Sequence, residues 1–282
     1  MLVRVYVPRH PLGEYVEDFW LYDGYAGAHL RERILPSGTV EMVFNLREDE
    51  LRIYGPLDIN QCRRFSGAVV SGPYAGAFAS DTTEEANIMG VHFKPGGAGA
   101  ILGVPLDKLT DAHVDLTAIW GPDAARLRER LCSLRQPHAR FRLLERVLLK
   151  QLSDGSRRSH GAVHFGLQAL TRSHGRLRVR DVATSVDLSQ RRFTQLFASE
   201  VGLTPKLSGR VQRFHHAMAL LQSAGEIEWA QFAVAQGYFD QSHLIHEFVE
   251  LSGLTPSDYL RRQTQLRKAA VYVKRNHVPL LE

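Results

Sequence analysis

Gly202-Leu203-Thr204-Pro205 recurs 51 residues later as Gly253-Leu254-Thr255-Pro256, and the chain leading into each copy repeats with it. Phe197 maps onto Phe248 and Phe193 onto Leu244; with one residue inserted in the second copy, Val182-Ala183 maps onto Phe232-Ala233. Each copy therefore reads as an apolar-Ala start, a break, a polar opening turn, an apolar helix stripe and Gly-Leu-Thr-Pro. Such a repeat is one supersecondary unit used twice. The unit has the form of a helix-turn-helix, which points to DNA.

In the first copy, 180–186 predicts a short helix with Val182 and Ala183 inward. Asp187-Leu188 turns the chain, and Ser189 stands where a side-chain oxygen can cap the next helix. Phe193, Leu196, Phe197 and Val201 recur at intervals of three and four, so one face is buried. Gln190, Arg191, Thr194 and Gln195 are left outside, and Arg and Gln are side chains able to read guanine and adenine edges. The second copy turns at Gly237-Tyr238, caps at Asp240 and buries Leu244, Phe248 and Leu251. Gln241, Ser242, His243, Ile245 and His246 fall on outward or partly outward positions. Ile245 and Glu247 are expected to bring an apolar and an acidic group to this second reading helix.

These residues resemble the AraC/XylS family of transcriptional regulators. The first motif is carried by Val182-Ala183, Leu188-Ser189, Phe193 and Phe197-x-x-x-x-Gly202-x-Thr204-Pro205. The second is carried by Phe232-Ala233-x-x-x-Gly237-Tyr238-x-Asp240-Gln241-Ser242-His243-Leu244-x-x-x-Phe248 and Gly253-x-Thr255-Pro256-x-x-Tyr259. Arg213-x-x-x-Ala217-x-x-Leu220-Leu221 is similar to the family's long joining helix, and Trp229 departs from its usual start to the second motif. The resemblance implies seven helices with the second helix of each motif in one of two successive major grooves. Carried over by position, the base-facing candidates are Arg191, Thr194 and Gln195, then Ser242, His243 and His246. Phosphate candidates are Arg192, Arg210, Arg213, Arg261 and Arg262.

The rest of the chain divides by texture and by charge. Residues 1–120 hold 10 Lys/Arg against 16 Asp/Glu, and 121–282 hold 25 against 14; an acidic half joined to a basic half suits one part to a polyanion and the other to something else. Period-two runs such as 39–46 and 88–93, separated by Pro36-Ser37-Gly38, Gly55-Pro56 and Gly72-Pro73, predict a β-rich barrel or sandwich over 1–120. Residues 121–160 read as a helical connector ending in an exposed linker, Asp154–Ser159, followed by the DNA-binding unit at 161–262 and a basic tail at 263–282. The fold class is thus α+β. Tyr15-x-x-x-Phe19-Trp20, Leu35-Pro36-Ser37-Gly38 and Val91-x-Phe93-Lys94-Pro95-Gly96-Gly97 resemble a cupin-like domain that precedes this DNA-binding unit in part of the family. That likeness implies a sensor or oligomerisation module and names no effector.

No apolar run reaches the ~18 residues needed to span a bilayer, and Met1–Pro8 lacks the features of a secretion signal. The expectation is a cytoplasmic, nucleoid-associated protein with no membrane partner. Double-stranded DNA is the expected partner, with RNA polymerase, a small-molecule effector and a second copy of the chain as further candidates. No cofactor is expected. Cys62 and Cys132 are too few for a metal site or a disulfide framework and read as reduced, buried thiols. Gly96-Gly97-Ala98-Gly99 lacks the Lys-Ser/Thr of a phosphate loop and reads as a tight turn into a short helix. His243-x-x-His246 and His215-His216 lack a third metal ligand at a recognisable spacing. Asp240, Ser242 and His243 share one short helix and cannot converge on one atom as a hydrolytic triad. Trp20, Glu41 and His92 suit a pocket wall and barrel core equally. The leucines of 124–152 suit either self-association or a cover for the barrel. Two other functions stay open: an architectural DNA binder without sequence preference, and an enzyme-like N-terminal domain fused to a DNA-binding unit. An alkyl-transfer enzyme would need a cysteine cluster that two isolated cysteines do not supply.

Overall fold

The computed structural model describes residues 2–24, 30–55, 61–154, 159–223, 227–268 and 276–280. Residues 155–158 of the expected linker, and 269–275 and 281–282 of the expected tail, lie outside the described residues.

The N-terminal strands are β1 (Leu2–Tyr6), β2 (Val16–Asp23), β3 (Arg31–Ile34), β4 (Glu41–Asn45), β5 (Leu51–Tyr54), β6 (Cys62–Phe65), β7 (Ala68–Ser71), β8 (Phe78–Asp81), β9 (Asn87–Phe93) and β10 (His113–Asp115). Together with β11 (His277–Pro279), they form two antiparallel sheets, ordered β1-β2-β9-β4-β7-β10 and β11-β3-β8-β5-β6. Successive side chains on a strand point to opposite faces, and the larger sheet uses both. Phe19, Leu21, Met42, Val70, Met89 and Val91 enter one core, and the neighbouring Trp20, Val69 and Ile88 meet Leu51 of the smaller sheet in another.

The first of these cores is closed by helices. After α1 (Ala98–Leu102) and α2 (Leu116–Trp120) come α3 (Pro122–Ser133) and α4 (Pro137–Asp154). Leu127, Leu131, Leu144 and Leu148 are buried against the sheet, so the leucine stripes of 124–152 cover the β-domain. The glycine run before α1 makes the expected tight turn: a Cβ on Gly97 would stand 2.1 Å from the Tyr15 carbonyl oxygen. One expectation fails. Cys62 lies exposed and Cys132 half-buried, because β6 is the last strand of its sheet, paired on one side by β5 alone.

Seven helices follow among the described residues: α5 (Gly161–Arg172), α6 (Val179–Thr184), α7 (Gln190–Val201), α8 (Pro205–Ser223), α9 (Trp229–Ala235), α10 (Gln241–Ser252) and α11 (Pro256–Lys268). Phe193, Phe197 and Val201 of α7 bury against Val163, Leu170, Val182 and Ala183. The second motif shares its core with the β-domain: Phe214, Leu244, Phe248 and Tyr259 lie in one buried cluster with Leu35, Ala77 and Val278. Polar contacts add to this junction. Arg33 donates to the Ser252 carbonyl at 2.8 Å, His215 Nε2 to the Pro36 carbonyl at 2.6 Å and Thr110 to the Gly202 carbonyl.

Candidate nucleic-acid interface

Each motif is built by the same local devices. Asp187 takes a left-handed φ of 54° at the first turn and Gly237 a φ of 82° at the second; Gly adopts that region at no steric cost, and Asp tolerates it better than most side chains. The Ser189 side chain accepts from the Arg192 N–H at 3.2 Å, and Asp240 accepts from the His243 N–H at 2.7 Å. Both reading helices thus begin on a capped turn, and both end on a left-handed glycine, Gly202 and Gly253. At its closest packing the first motif admits no side chain beneath it. A Cβ on Gly166 of α5 would lie 2.6 Å from the Phe193 ring.

With Phe193 and Phe197 inward, Arg191, Arg192 and Gln195 are exposed and Thr194 is half-buried. On α10, Ser242 and His246 are exposed. His243 is half-buried and its Nδ1 accepts from the Phe239 N–H at 3.1 Å. Phe239, 85% exposed at the tip of the turn, escapes a reading based on helix periodicity because it precedes the cap.

Glu247 departs from expectation. It is 4% exposed and points away from the reading face. Its Oε1 accepts from Arg213 Nη2 at 2.9 Å and its Oε2 from Arg210 Nε at 2.9 Å, joining α8 to α10. The guanidiniums of two phosphate candidates are therefore engaged within the protein, and Arg210 also bonds Glu250. Arg213 in addition lies over the Tyr238 ring, 4.8 Å from its centroid. Ile245 is half-buried. Of the remaining phosphate candidates, Arg261 bonds Asp258 and Arg262 donates to the Pro279 carbonyl at 3.0 Å.

Between the motifs runs a groove of about 710 Å³. Gln190 at the start of α7 borders it, as do His243 and His246 of α10, so both reading helices open onto one groove. Arg176, Arg178, Arg180 and Lys206 line it as well, and Arg176 is fixed by donating to the Ala235 carbonyl at 2.6 Å. The sequence reading missed these four cations. Arginines at every second position from 176 to 180 were the available signal.

Two family models match the chain: a "Helix-turn-helix domain" over residues 182–262 and a "Domain of unknown function (DUF6597)" over residues 4–115. No curated protein matches the sequence. Among solved structures, ToxT from Vibrio cholerae is 13% identical with a TM-score of 0.44, over 86% of this chain and 97% of that one. A form of wild-type ToxT described as bound to unsaturated fatty acid is also 13% identical with a TM-score of 0.44, over 92% and 94%. The C-terminal domain of AraT, a response regulator from Geobacillus stearothermophilus, is 23% identical with a TM-score of 0.35, over 37% and 88%.

Proposed function

We propose that this chain, a DNA-binding transcriptional regulator with an AraC-type helix-turn-helix domain at its C-terminal end, reads one operator through two successive major grooves. Arg191, Thr194 and Gln195 contact bases in the first groove, and Ser242, His243 and His246 in the second. Phe239 adds an apolar contact of the kind that suits a thymine methyl. The observation that carries this reading is the shared groove, lined by Gln190 at the start of α7, by His243 and His246 of α10, and by Arg176, Arg178, Arg180 and Lys206. The joining helix α8 has 19 residues, roughly 28 Å at 1.5 Å per residue. Successive major grooves on one side of the duplex lie about 34–36 Å apart, a separation that two motifs held by such a helix can bridge once their own widths are added.

The working partition is a β-rich sensor or oligomerisation domain at 1–120, a helical stretch at 121–160, the DNA-binding unit at 161–262 and a basic tail at 263–282. A small molecule or partner acts through the N-terminal domain, supported by the core that this domain shares with the second motif. RNA polymerase contact and homodimer formation belong to the same proposal, as does a cytoplasmic, nucleoid-associated location; among the described residues no helix is long and apolar enough to cross a membrane. The test is hydroxyl-radical footprinting of the full chain on a site recovered by genome-wide mapping. Two protected major grooves about one helical turn apart are expected. A single protected groove removes the two-motif reading, and equal binding to random duplex favours an architectural role.

A further inference from the structure

The register of the larger sheet lines up a row of polar side chains. His113 of β10 stands opposite Ser71 of β7, Ser71 opposite Glu41 of β4, Glu41 opposite His92 of β9, and His92 opposite Asp18 of β2. Residues paired in this way share one face of a sheet, here the face that carries Trp20, Val69 and Ile88 further along the strands. Both ends of the row are knit by side-chain contacts. His113 Nδ1 lies 2.9 Å from Ser71 Oγ, and His92 lies 3.0 Å from Glu41 and 2.8 Å from Asp18.

Ser71, Glu41 and His92 line a cavity of about 860 Å³, within the range of small-molecule sites. Tyr74 and Phe78 add aromatic area to its wall, and Met218 of α8 and Val278 of β11 bring in the helical side of the junction.

The two ends of the row differ in what they tolerate. At one end burial works against a charge on His92, yet Glu41 and Asp18 outweigh it and lift its pKa to about 10. At the other end His113 is 6% exposed, its ring centroid 4.7 Å from that of Tyr74 and 4.6 Å from that of Phe78. Burial, helped by Arg63, pushes its pKa down to about 3 and keeps it neutral. Its Nε2 has no hydrogen-bond partner among the described residues, although polar atoms buried so deeply are nearly always paired. Between the ends, Ser71 and Glu41 stand on neighbouring strands about 4.8 Å apart, so a single ligand hydroxyl can reach both side chains. A carboxylate accepts several bonds and a serine hydroxyl both donates and accepts. Glu41 and Ser71 can therefore bond a ligand without giving up His92 and His113.

We propose that this cavity is the effector site and that it takes a neutral phenol or aromatic alcohol, its hydroxyl over Ser71 and Glu41 and its ring against Tyr74 and Phe78. The proposal rests on the ligand-modulated reading above. A hydroxyl donates to the Glu41 carboxylate while accepting from Ser71, and it brings no charge into a corner that keeps an imidazole unprotonated. An anionic head would meet Glu41 as a like charge. A cationic head would find Glu41 already matched by His92 and would incur the burial cost that keeps His113 neutral. Aromatic pairs contribute beyond the area they bury, which favours a ring over an aliphatic body beside Tyr74 and Phe78. Because α8 and β11 contribute to the wall, occupancy is coupled to how the DNA-binding unit sits on the β-domain.

The test is calorimetric titration of the full chain with para-cresol, set against its methyl ether, phenethylamine and hydrocinnamate. Para-cresol is expected to bind about tenfold or more tighter than each of the others, the size of one hydrogen bond to a charged group. Ser71→Ala, with its fold checked by circular dichroism, is expected to weaken para-cresol about three- to tenfold. Tyr74→Leu leaves the polar row intact, covers the case in which Ser71→Ala does not fold, and is expected to weaken binding by a similar factor through the lost ring contact. Any of the other three probes binding as tightly as para-cresol, no para-cresol binding at millimolar concentration, or an unchanged affinity in either folded variant would each overturn the assignment. Operator affinity measured with and without para-cresol separates the two levels. Para-cresol that binds without changing operator affinity supports the ligand class and removes the regulatory reading. A chain that binds operator and not para-cresol removes the ligand class and leaves the DNA-binding reading standing.

Discussion

Arg191 and Glu247 sit on equivalent helices, the one exposed and the other buried, and the difference lies in where each stands relative to the apolar stripe. Arg191 is exposed two residues after the Ser189 cap, off the stripe of Phe193 and Phe197, so truncating it spares the fold. If it forms a bidentate bond to guanine, Arg191→Ala costs about 1–3 kcal/mol on the cognate site and relaxes discrimination at one base pair. Isotherms on base-substituted operators decide this, and an equal loss on every sequence would reassign Arg191 to the phosphates. Glu247 lies three residues after Leu244 and four before Leu251, which puts it on the buried stripe. Replacing it with Gln takes the carboxylate from Arg213 and leaves Arg210 with Glu250 alone. Breaking one partner out of such a buried group costs about 3–5 kcal/mol. Chemical denaturation of Glu247→Gln should show a loss of that order, and a loss within error of zero would mean the triad is dispensable.

At the scale of elements, the motifs are legible because their signals are local: a cap, a left-handed turn residue, a stripe at intervals of three and four, and a terminal glycine all fall within about twenty residues of chain. The strands 39–46 and 88–93 are legible for the same reason, since alternation is a local property. What is not local stays hidden. Glu41 and His92 are joined only by the β4–β9 register, so the sequence leaves them undecided between pocket and core. The groove cations are hidden likewise. Arg178 and Arg180 become part of one wall with Lys206 only because α6 and α8 converge beside α10. Each phosphate neutralised releases counterions and contributes about 0.9 to the slope of log affinity against log salt. Arg178→Ala with Arg180→Ala should therefore flatten that slope by about two units on cognate and random duplex alike. An unchanged slope would take the groove out of the DNA-binding surface.

The whole molecule is held by a core that ignores the boundary between its two matched domains. Leu35, on the β-domain side, is 2% exposed and shares a cluster with Phe214, Phe248 and Tyr259. The β11–β3 ladder and the Arg33 bond to Ser252 tie the same junction from outside. Interfaces between domains are commonly small and polar, so domain motion is the default. A shared apolar core argues for the opposite, a single cooperative unit in which a signal at the β-domain cannot avoid the second reading helix. Leu35→Ala removes buried methyls from that core and should cost about 2–5 kcal/mol. Leu131→Ala, far from the junction in the core under α3 and α4, should cost about the same. In scanning calorimetry both variants should lower one common transition. If the wild-type chain instead melts in two separated steps, and each substitution moves only one of them, the domains are independent. Any coupling between the β-domain and DNA would then have to run through something other than this core.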